Sequence, residues 1–340
     1  MAKKVTYVIV VLAIASLFFS VFGFVFFYSQ IIGLQQTVDD LVDRQFSDYP
    51  EITLVDRMGN VVTLTSAPLR IVSLSPSNTE ILFAIGAGAH VVGVTDSCDY
   101  PCNFTTLEAS NITLESTNVT RIGSVYNPPV KPIVDLEPDL VLATTLSLET
   151  AEDLQALGFN VLVVEARTIS EVLDDILLVG RATGNNAEAT AFVIVMKAKI
   201  DVVANIAARA ETTPKVYYEF RDDPLVSVGP GTLVDELITL AGGVNICNTE
   251  TESLPLISSE SVIEKNPDVM IFPSMYVDAA NFSDTLASVK DRPGWSSITA
   301  VQDDALYGID AEIVSRTGPR IVEALRAFAQ MIHPELFASP

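Results

Sequence analysis

From residue 50 onward, short apolar runs alternate with longer segments whose apolar residues recur every three or four positions. The short runs read as buried strands and the longer segments as amphipathic helices. Ile52 to Val55 and Val61 to Leu64 flank Met58-Gly59-Asn60 as a small hairpin. Ile71-Val-Ser-Leu is a buried strand. Ser75 then suits a helix N-cap, and Pro76 suits the first helical position, where its missing N–H costs nothing. That helix carries Ile81, Leu82 and Ile85 and closes at Gly86-Ala-Gly88. Further strands are expected at Val91 to Val94, Asp139 to Ala143 and Asn160 to Val164, with helices at Glu149 to Leu157 and Ile169 to Gly184. Ala187 to Ala210, free of Gly and Pro and ended by Pro214, is the longest helical candidate of the body. The alternation then resumes with strands Val216 to Phe220 and Leu225 to Val228, helix Thr232 to Leu240, and strands Val269 to Phe272 and Ala305 to Ile309. A final helix runs from Ile321 to Ile332, with Pro319 before it and Pro334 after it. Strands alternating with helices imply parallel sheets covered on both faces.

A weak internal repeat adds to this picture. Val72-Ser-Leu-Ser-Pro76 resembles Val226-Ser-Val-Gly-Pro230, and each precedes a helix that holds a glutamate (Glu80, Glu236) and closes on glycine (Gly86, Gly242). Ile133-Val-Asp-Leu-Glu-Pro-Asp-Leu-Val-Leu142 likewise matches Val262-Ile-Glu-Lys-Asn-Pro-Asp-Val-Met-Ile271. Two like halves on either side of a long helix predict a pair of α/β lobes held by one strut.

The N-terminus departs from this pattern. Lys3 and Lys4 precede a charge-free stretch whose most apolar part, Val5 to Tyr28, would make a helix about 36 Å long. That spans a hydrocarbon layer of about 30 Å. The run is too long for a cleaved signal, is crowded with phenylalanine, and has no cysteine close behind it for a lipid anchor. It reads as an uncleaved signal-anchor, with the lysines cytoplasmic and the body outside; a cleaved signal with an unusual site is the alternative, and it too puts the body outside. Ile31, Leu34, Val38, Leu41 and Val42 suggest a short helical stalk, and an acidic linker follows to Pro50. The domains expected are therefore an anchor (1–30), a stalk and linker (31–50), an N-terminal lobe (51–186), a bridging helix (187–210) and a C-terminal lobe (211–340).

Charge and cysteine content narrow the function. In a chain of 340 residues, 20 Lys and Arg face 43 Asp and Glu, a net charge of −23. A field of that sign repels phosphate backbones, so no nucleic-acid partner is expected. Cys98, Cys102 and Cys247 leave at least one thiol unpaired; closure of Cys98 with Cys102, or of Cys98 with Cys247, are the alternatives. The two histidines, His90 and His333, lack ligand-like spacing to the cysteines, so no metal site is expected. Sequons at Asn103, Asn111, Asn118 and Asn281 are compatible with an exterior location.

Motifs for catalysis are missing: there is no Gly-x-Ser-x-Gly elbow, His-Glu-x-x-His helix or phosphate loop. A binding cleft fits better. In parallel sheets, ligands collect at the carboxyl ends of strands, where helix N-termini present free N–H groups. Ser75 to Asn78 supplies one such end and Gly229-Pro-Gly-Thr232 the other. Tyr100, Tyr126, Tyr217, Tyr218 and Phe220 lie beside expected strands, where their rings suit a flat ligand. Arg221 and Arg316 are candidate partners for an anionic group, while Arg320 reads as a helix-start residue and Trp295 as a cap on the second core.

Arg70-Ile-Val-Ser-Leu-Ser-Pro-Ser-Asn-Thr-Glu-Ile-Leu-Phe-Ala-Ile-Gly86, followed by Val92-Gly-Val-Thr and Asp99-Tyr-Pro101, resembles the first lobe of periplasmic-binding-protein-like metal-chelate receptors. These are the cobalamin and ferric-siderophore substrate-binding proteins of ABC importers. Leu136-Glu-Pro-Asp-Leu-Val-Leu142, Asp291-Arg-Pro-Gly-Trp-Ser296 and Arg316-Thr-Gly-Pro-Arg320 continue the resemblance, which covers roughly residues 50 to 337. It implies an α/β fold of two Rossmann-like lobes with parallel-type sheets, joined by a single long backbone helix. It also implies one exposed carboxylate per lobe that docks on permease arginines; the second-lobe position is Glu260, whereas the first-lobe position holds Lys131, a cation where an anion is expected. Cobalamin binders of this type line the groove with several Trp, and Trp295 is the only one here. Tyr126 stands in for one such ring, while Ser97, Thr144 and Leu254 occupy positions where aromatics are expected.

The reading is a membrane-anchored, extracytoplasmic solute receptor, not an enzyme and without a cofactor. It would bind a corrinoid or ferric siderophore, with heme or another metal chelate fitting equally well, through Ser75, Asn78, Tyr100, Tyr126, Thr144, Tyr218, Phe220, Arg221 and Arg316, and pass it to an ABC permease and its ATPase. A ligand-sensing ectodomain and an extracytoplasmic hydrolase are the alternatives.

Overall fold

The computed structural model describes residues 49–101, 106–107, 112–113, 119–274 and 282–337. The expected anchor and stalk, Cys102 and the four sequon asparagines lie outside them. Among the described residues no helix is long and apolar enough to cross a membrane. The chain divides into two units. One is residues 1–52 with 65–67, of which 49–52 and 65–67 are described; the other, Thr53–Leu64 with Pro68–Pro340, holds the architecture below.

β1 (Ile52–Val55) and β2 (Val61–Leu64) form the expected hairpin. Its turn is organised by Asp56, whose carboxylate accepts from the N–H groups of Met58 and Asn60 and from Val163 N–H in the neighbouring sheet. That sheet is built from β3 (Ile71–Ser73), β4 (Val91–Val94), β7 (Thr120–Arg121), β8 (Leu140–Ala143) and β9 (Val161–Val163), in the order β7-β4-β3-β8-β9 and parallel throughout. A two-stranded antiparallel excursion, β5 (Thr106–Leu107) with β6 (Ile112–Thr113), leaves it after β4. The connecting helices are α1 (Pro76–Ala84), α2 (Val130–Val134) and α3 (Leu148–Ala156), and α4 (Ile169–Thr183) follows β9. β8 is buried at every position, as a strand covered on both faces must be.

α5 (Asn186–Ala207) is the strut, 22 residues and so about 33 Å long. It packs closely on α4: a Cβ at Gly180 would run into the Cβ of Ala189.

Beyond it the second sheet takes the order β13-β10-β14-β15, again all parallel. Its strands are β10 (Lys215–Tyr218), β13 (Val244–Asn245), β14 (Val269–Pro273) and β15 (Leu306–Ile309), with the antiparallel hairpin β11 (Arg221–Asp222) and β12 (Leu225–Val226) between the first two. Helices α6 (Leu233–Leu240), α7 (Ser259–Lys265), α8 (Phe282–Lys290), α9 (Thr299–Gln302), α10 (Ala311–Ser315), α11 (Ile321–Ile332) and α12 (Pro334–Phe337) complete the lobe. Each lobe has its own core: Val72, Val141, Leu154 and Val163 in the first, and Tyr217, Met270, Phe272 and Trp295 in the second.

The internal repeat is physical, and one of its two matches sits differently from expectation. Asp139, before β8, accepts from the N–H of Arg70 at the start of β3; Asp268, before β14, accepts from the N–H of Lys215 at the start of β10. The two Pro-Asp motifs therefore tie equivalent central strands together. β3 consequently corresponds to β10, not to the segment around Val226. The hairpin β11–β12 is inserted between β10 and α6, so the Val226-Ser-Val-Gly-Pro run forms a hairpin arm and loop instead of a strand of the main sheet. Cys98 and Cys247 are both buried free thiols, so the Cys98–Cys247 alternative does not form.

Candidate functional site

The carboxyl ends of the two sheets meet in one region. The segment after β15 carries Arg316, which reaches the loop after β4 and the helix after β3 in the other lobe. Its guanidinium donates to Asp99 at 2.5 Å, to Glu80 at 3.3 Å and to the Ser97 carbonyl at 3.4 Å, and it also contacts Glu312. Arg320 donates to both oxygens of Glu80, at 3.1 and 2.7 Å, and covers the Tyr100 ring at 4.6 Å. Glu80 is 2% exposed, so two guanidinium groups compensate the cost of a buried carboxylate.

On the N-terminal side, the cleft residues follow β3, β7 and β8. Ser75 caps α1, its side chain accepting from Asn78 N–H. Asn78 donates to the Ala143 carbonyl, and its Oδ1 is buried with no hydrogen-bond partner among the described residues. Thr144, just past β8, is buried too. Tyr126 and Leu146 are both exposed, and the N–H of Asn127 donates to the Leu146 carbonyl, which ties the backbones of their two segments together.

The C-terminal side offers an apolar cavity of about 180 Å³ lined by Tyr218, Phe220, Leu254, Pro273 and Val314, among others. Tyr218 is otherwise buried, its ring stacked at 6.2 Å on Phe328 of α11. Phe220 is half-buried at the base of the β11–β12 hairpin, and Arg221 beside it is exposed, with Nε 3.4 Å from the Pro224 carbonyl. Of the predicted ligand residues, Tyr100 and Arg316 are thus drawn into the contact between lobes. Ser75 and Asn78 serve the helix start, and Tyr126, Phe220 and Arg221 remain at the surface or rim.

Beneath the second lobe's edge lies a cluster that sequence reading did not single out. Glu219, directly after β10, accepts both arms of Arg292, at 2.5 and 2.9 Å, together with the Tyr217 hydroxyl at 3.2 Å. Burial, reinforced by the neighbouring carboxylate, pushes the Tyr217 hydroxyl well above its ordinary range, so it remains a donor. Burial pulls the Arg292 pKa down, and the Glu219 contacts more than reverse this. Trp295 is fully buried, donates to Ser259 Oγ at 2.6 Å and lies under the Arg292 guanidinium, so it belongs to the core and not to the cleft. The sequence places Trp295 on this core and holds Arg292 in the Asp291-Arg-Pro-Gly-Trp-Ser296 run, but nothing in it links Arg292 to Glu219.

The remaining predicted positions lie on the outer surface. Glu260 is exposed in the first turn of α7, which Ser258 caps. Lys131 is also exposed, and its ammonium is bonded to Asp135 at 2.6 Å one turn along α2, so the charge there is balanced within the helix. Among the described residues no group of His, Cys, Asp and Glu is placed to hold a metal ion.

Two parallel-sheet lobes on a single helical strut, touching through the segments after their strands, define a solute-receptor architecture. The family model described as periplasmic binding protein matches residues 71–313, and the chain belongs to that family. It is 31% identical over 305 residues to the ABC transporter substrate-binding lipoprotein YvrC of Bacillus subtilis, covering 86% of this chain and 89% of that one. It is 30% identical over 292 residues to the cobalamin-binding protein of Halobacterium salinarum, covering 83% of this chain and 74% of the relative. The periplasmic heme-binding protein RhuT of Roseiflexus superposes with a TM-score of 0.66 at 25% identity, covering 78% of this chain and 98% of that one. Membership makes this chain a solute-binding protein and not an enzyme.

Proposed function

We propose that this protein captures a metal chelate, a corrinoid or a ferric siderophore, between its lobes outside the cytoplasm and delivers it to an ABC permease. The observation that carries the reading is the joining of two parallel-sheet lobes by one 22-residue helix, with the strand ends of both converging on Arg316, Asp99 and Glu80. A single stiff helix permits only limited closure, which suits a bulky, rigid ligand gripped by apolar surfaces. Tyr126 and Leu146 on one side and the cavity beside Phe220 and Leu254 on the other supply those surfaces. Relatives whose names specify cobalamin and heme support the ligand class.

The segment from Val5 to Tyr28 anchors the receptor by its apolar length, and tethering keeps it concentrated near its permease. Glu260 is the docking carboxylate of the second lobe. At the first-lobe position the Lys131–Asp135 pair presents no net charge, so docking is electrostatically one-sided.

Native mass spectrometry of the full-length chain mixed with cobalamin, cobinamide, ferric siderophores and heme tests the ligand class. A stoichiometric complex with one of them is expected, and failure to bind every one removes the proposal.

A further inference from the structure

The two glutamates that the repeat brings into register, six residues before the glycines closing α1 and α6, both reach into the opposite lobe. Glu80, on α1 of the first lobe, is held by Arg316 and Arg320 of the second. Glu236, on α6 of the second lobe, accepts at 2.7 Å from the N–H of Ile169, the first residue of α4 in the first lobe. The partners differ in kind. Glu80 takes two guanidinium forks, whereas Glu236 takes one of the amides that a helix start leaves without an internal partner. The backbone between the two arginines lies against α1: a Cβ added at Gly318 would sit in ordinary contact, 3.5 Å from the Ser77 carbonyl and 3.6 Å from a Glu80 oxygen. Asp99 completes the arrangement at the rim: its side chain is 66% exposed and its carboxylate is bonded to Arg316.

We infer that Glu80 and Glu236 are a reciprocal pair of latches, one from each half of the repeat, that fix the spacing of the lobes on the strut. They are positioning residues: they set cleft width, and hence ligand affinity, without touching the ligand. The consequence for affinity rests on the cleft being the ligand site; the latch itself does not. Glu80, more buried and doubly paired, is the stronger of the two.

The test measures inter-lobe distances by electron–electron resonance in the full-length chain. Spin labels replace exposed Glu152 and Glu264, with Cys98, Cys102 and Cys247 changed to alanine. A single narrow distribution is expected for the parent. Glu80→Gln should add a longer-distance population well below the unfolding temperature, Glu236→Gln a smaller one, and the double variant the largest. Binding of cyanocobalamin or hemin, whichever the parent takes, should weaken at least fivefold in Glu80→Gln. Unchanged distributions in both single variants would overturn the inference, even if thermal stability fell. Should Glu80→Gln fail to fold, Glu236→Gln and Arg320→Lys carry the same measurement. If the parent binds neither probe, the ligand reading fails while the distance result still decides the latch.

Discussion

Glu219 and Arg292 form a two-pronged ion pair, 2.5 and 2.9 Å, at the point where the second lobe's central strand ends, and the same guanidinium lies 4.5 Å from the centre of the Trp295 ring. One side chain thus satisfies a buried carboxylate and covers the largest residue of the core. Arg292→Ala removes both functions and leaves the buried Glu219 carboxylate without its counter-charge. A loss of about 3–5 kcal/mol is expected from denaturant unfolding. Trp295, the sole tryptophan, reports the change directly by fluorescence. Glu219→Gln, which keeps an acceptor for the arginine, should cost less than half as much.

Asp175, buried in α4, bonds to Arg57 of the hairpin turn at 2.6 Å. Burial nevertheless raises its pKa to about 6, with the Arg57 charge opposing the shift. The folded state therefore binds more protons than the unfolded state between about pH 4, where a free carboxyl titrates, and pH 6. The contribution of Asp175 to stability is full below the lower value and is lost as pH rises through the upper one. Asp175→Asn should flatten this slope, gaining about 2–3 kcal/mol relative to the parent between pH 4 and 7. Parallel urea titrations at the two pH values check it.

Gly229 opens the second helix-start loop, and a Cβ there would overlap the Glu252 carbonyl oxygen. The obstacle is backbone, held in place by Gly229 N–H donating to the Ser253 carbonyl, so it cannot rotate aside. Gly229→Ala should destabilise by about 1–3 kcal/mol, read as a lowered Tm. Gly231→Ala, by comparison, meets no atom but must hold φ +75 and should cost about 1 kcal/mol.

Tyr126 is a large ring left mostly in water on the cleft side of the first lobe. If it grips the ligand as proposed, Tyr126→Ala should weaken chelate binding by about 1–2 kcal/mol, roughly 5- to 30-fold, with thermal unfolding unchanged. Isothermal titration of the parent and variant separates the two effects.

If Glu260 docks on a permease as proposed, Glu260→Ala should leave chelate affinity unaltered and reduce stimulation of the permease's ATPase. Lys131→Ala should raise that stimulation, because it leaves Asp135 as an unbalanced carboxylate at the first-lobe docking position. Both variants are compared in proteoliposomes at low and physiological salt.

Local chemistry alone was enough to locate most of the regular elements. Ser75-Pro76 marked the start of α1, the Gly- and Pro-free run after Asn186 marked the strut, and Ile321–Ile332 came out with its observed ends. These signals are local because caps, breakers and apolar periodicity act over a few residues. The matched Pro-Asp motifs showed that two halves were alike. Strand pairing, by contrast, is a long-range choice. Val226 has a strand-like sequence, and only the insertion of a hairpin after β10 made it an arm of a separate two-stranded ribbon. The site divides in the same way. Sequence identified Arg316 and Tyr218 as chemically suited to a ligand, yet a guanidinium binds whichever carboxylate the fold brings nearest. Of the carboxylates distant in sequence, the nearest is Asp99 across 217 residues of chain, at 2.5 Å, with Glu80 behind it at 3.3 Å, and Tyr218 is turned onto Phe328. Composition and periodicity settled which segments became strands and helices; the packing of one lobe against the other decided which charged groups meet, because electrostatic partners are chosen by distance in space and not by distance along the chain.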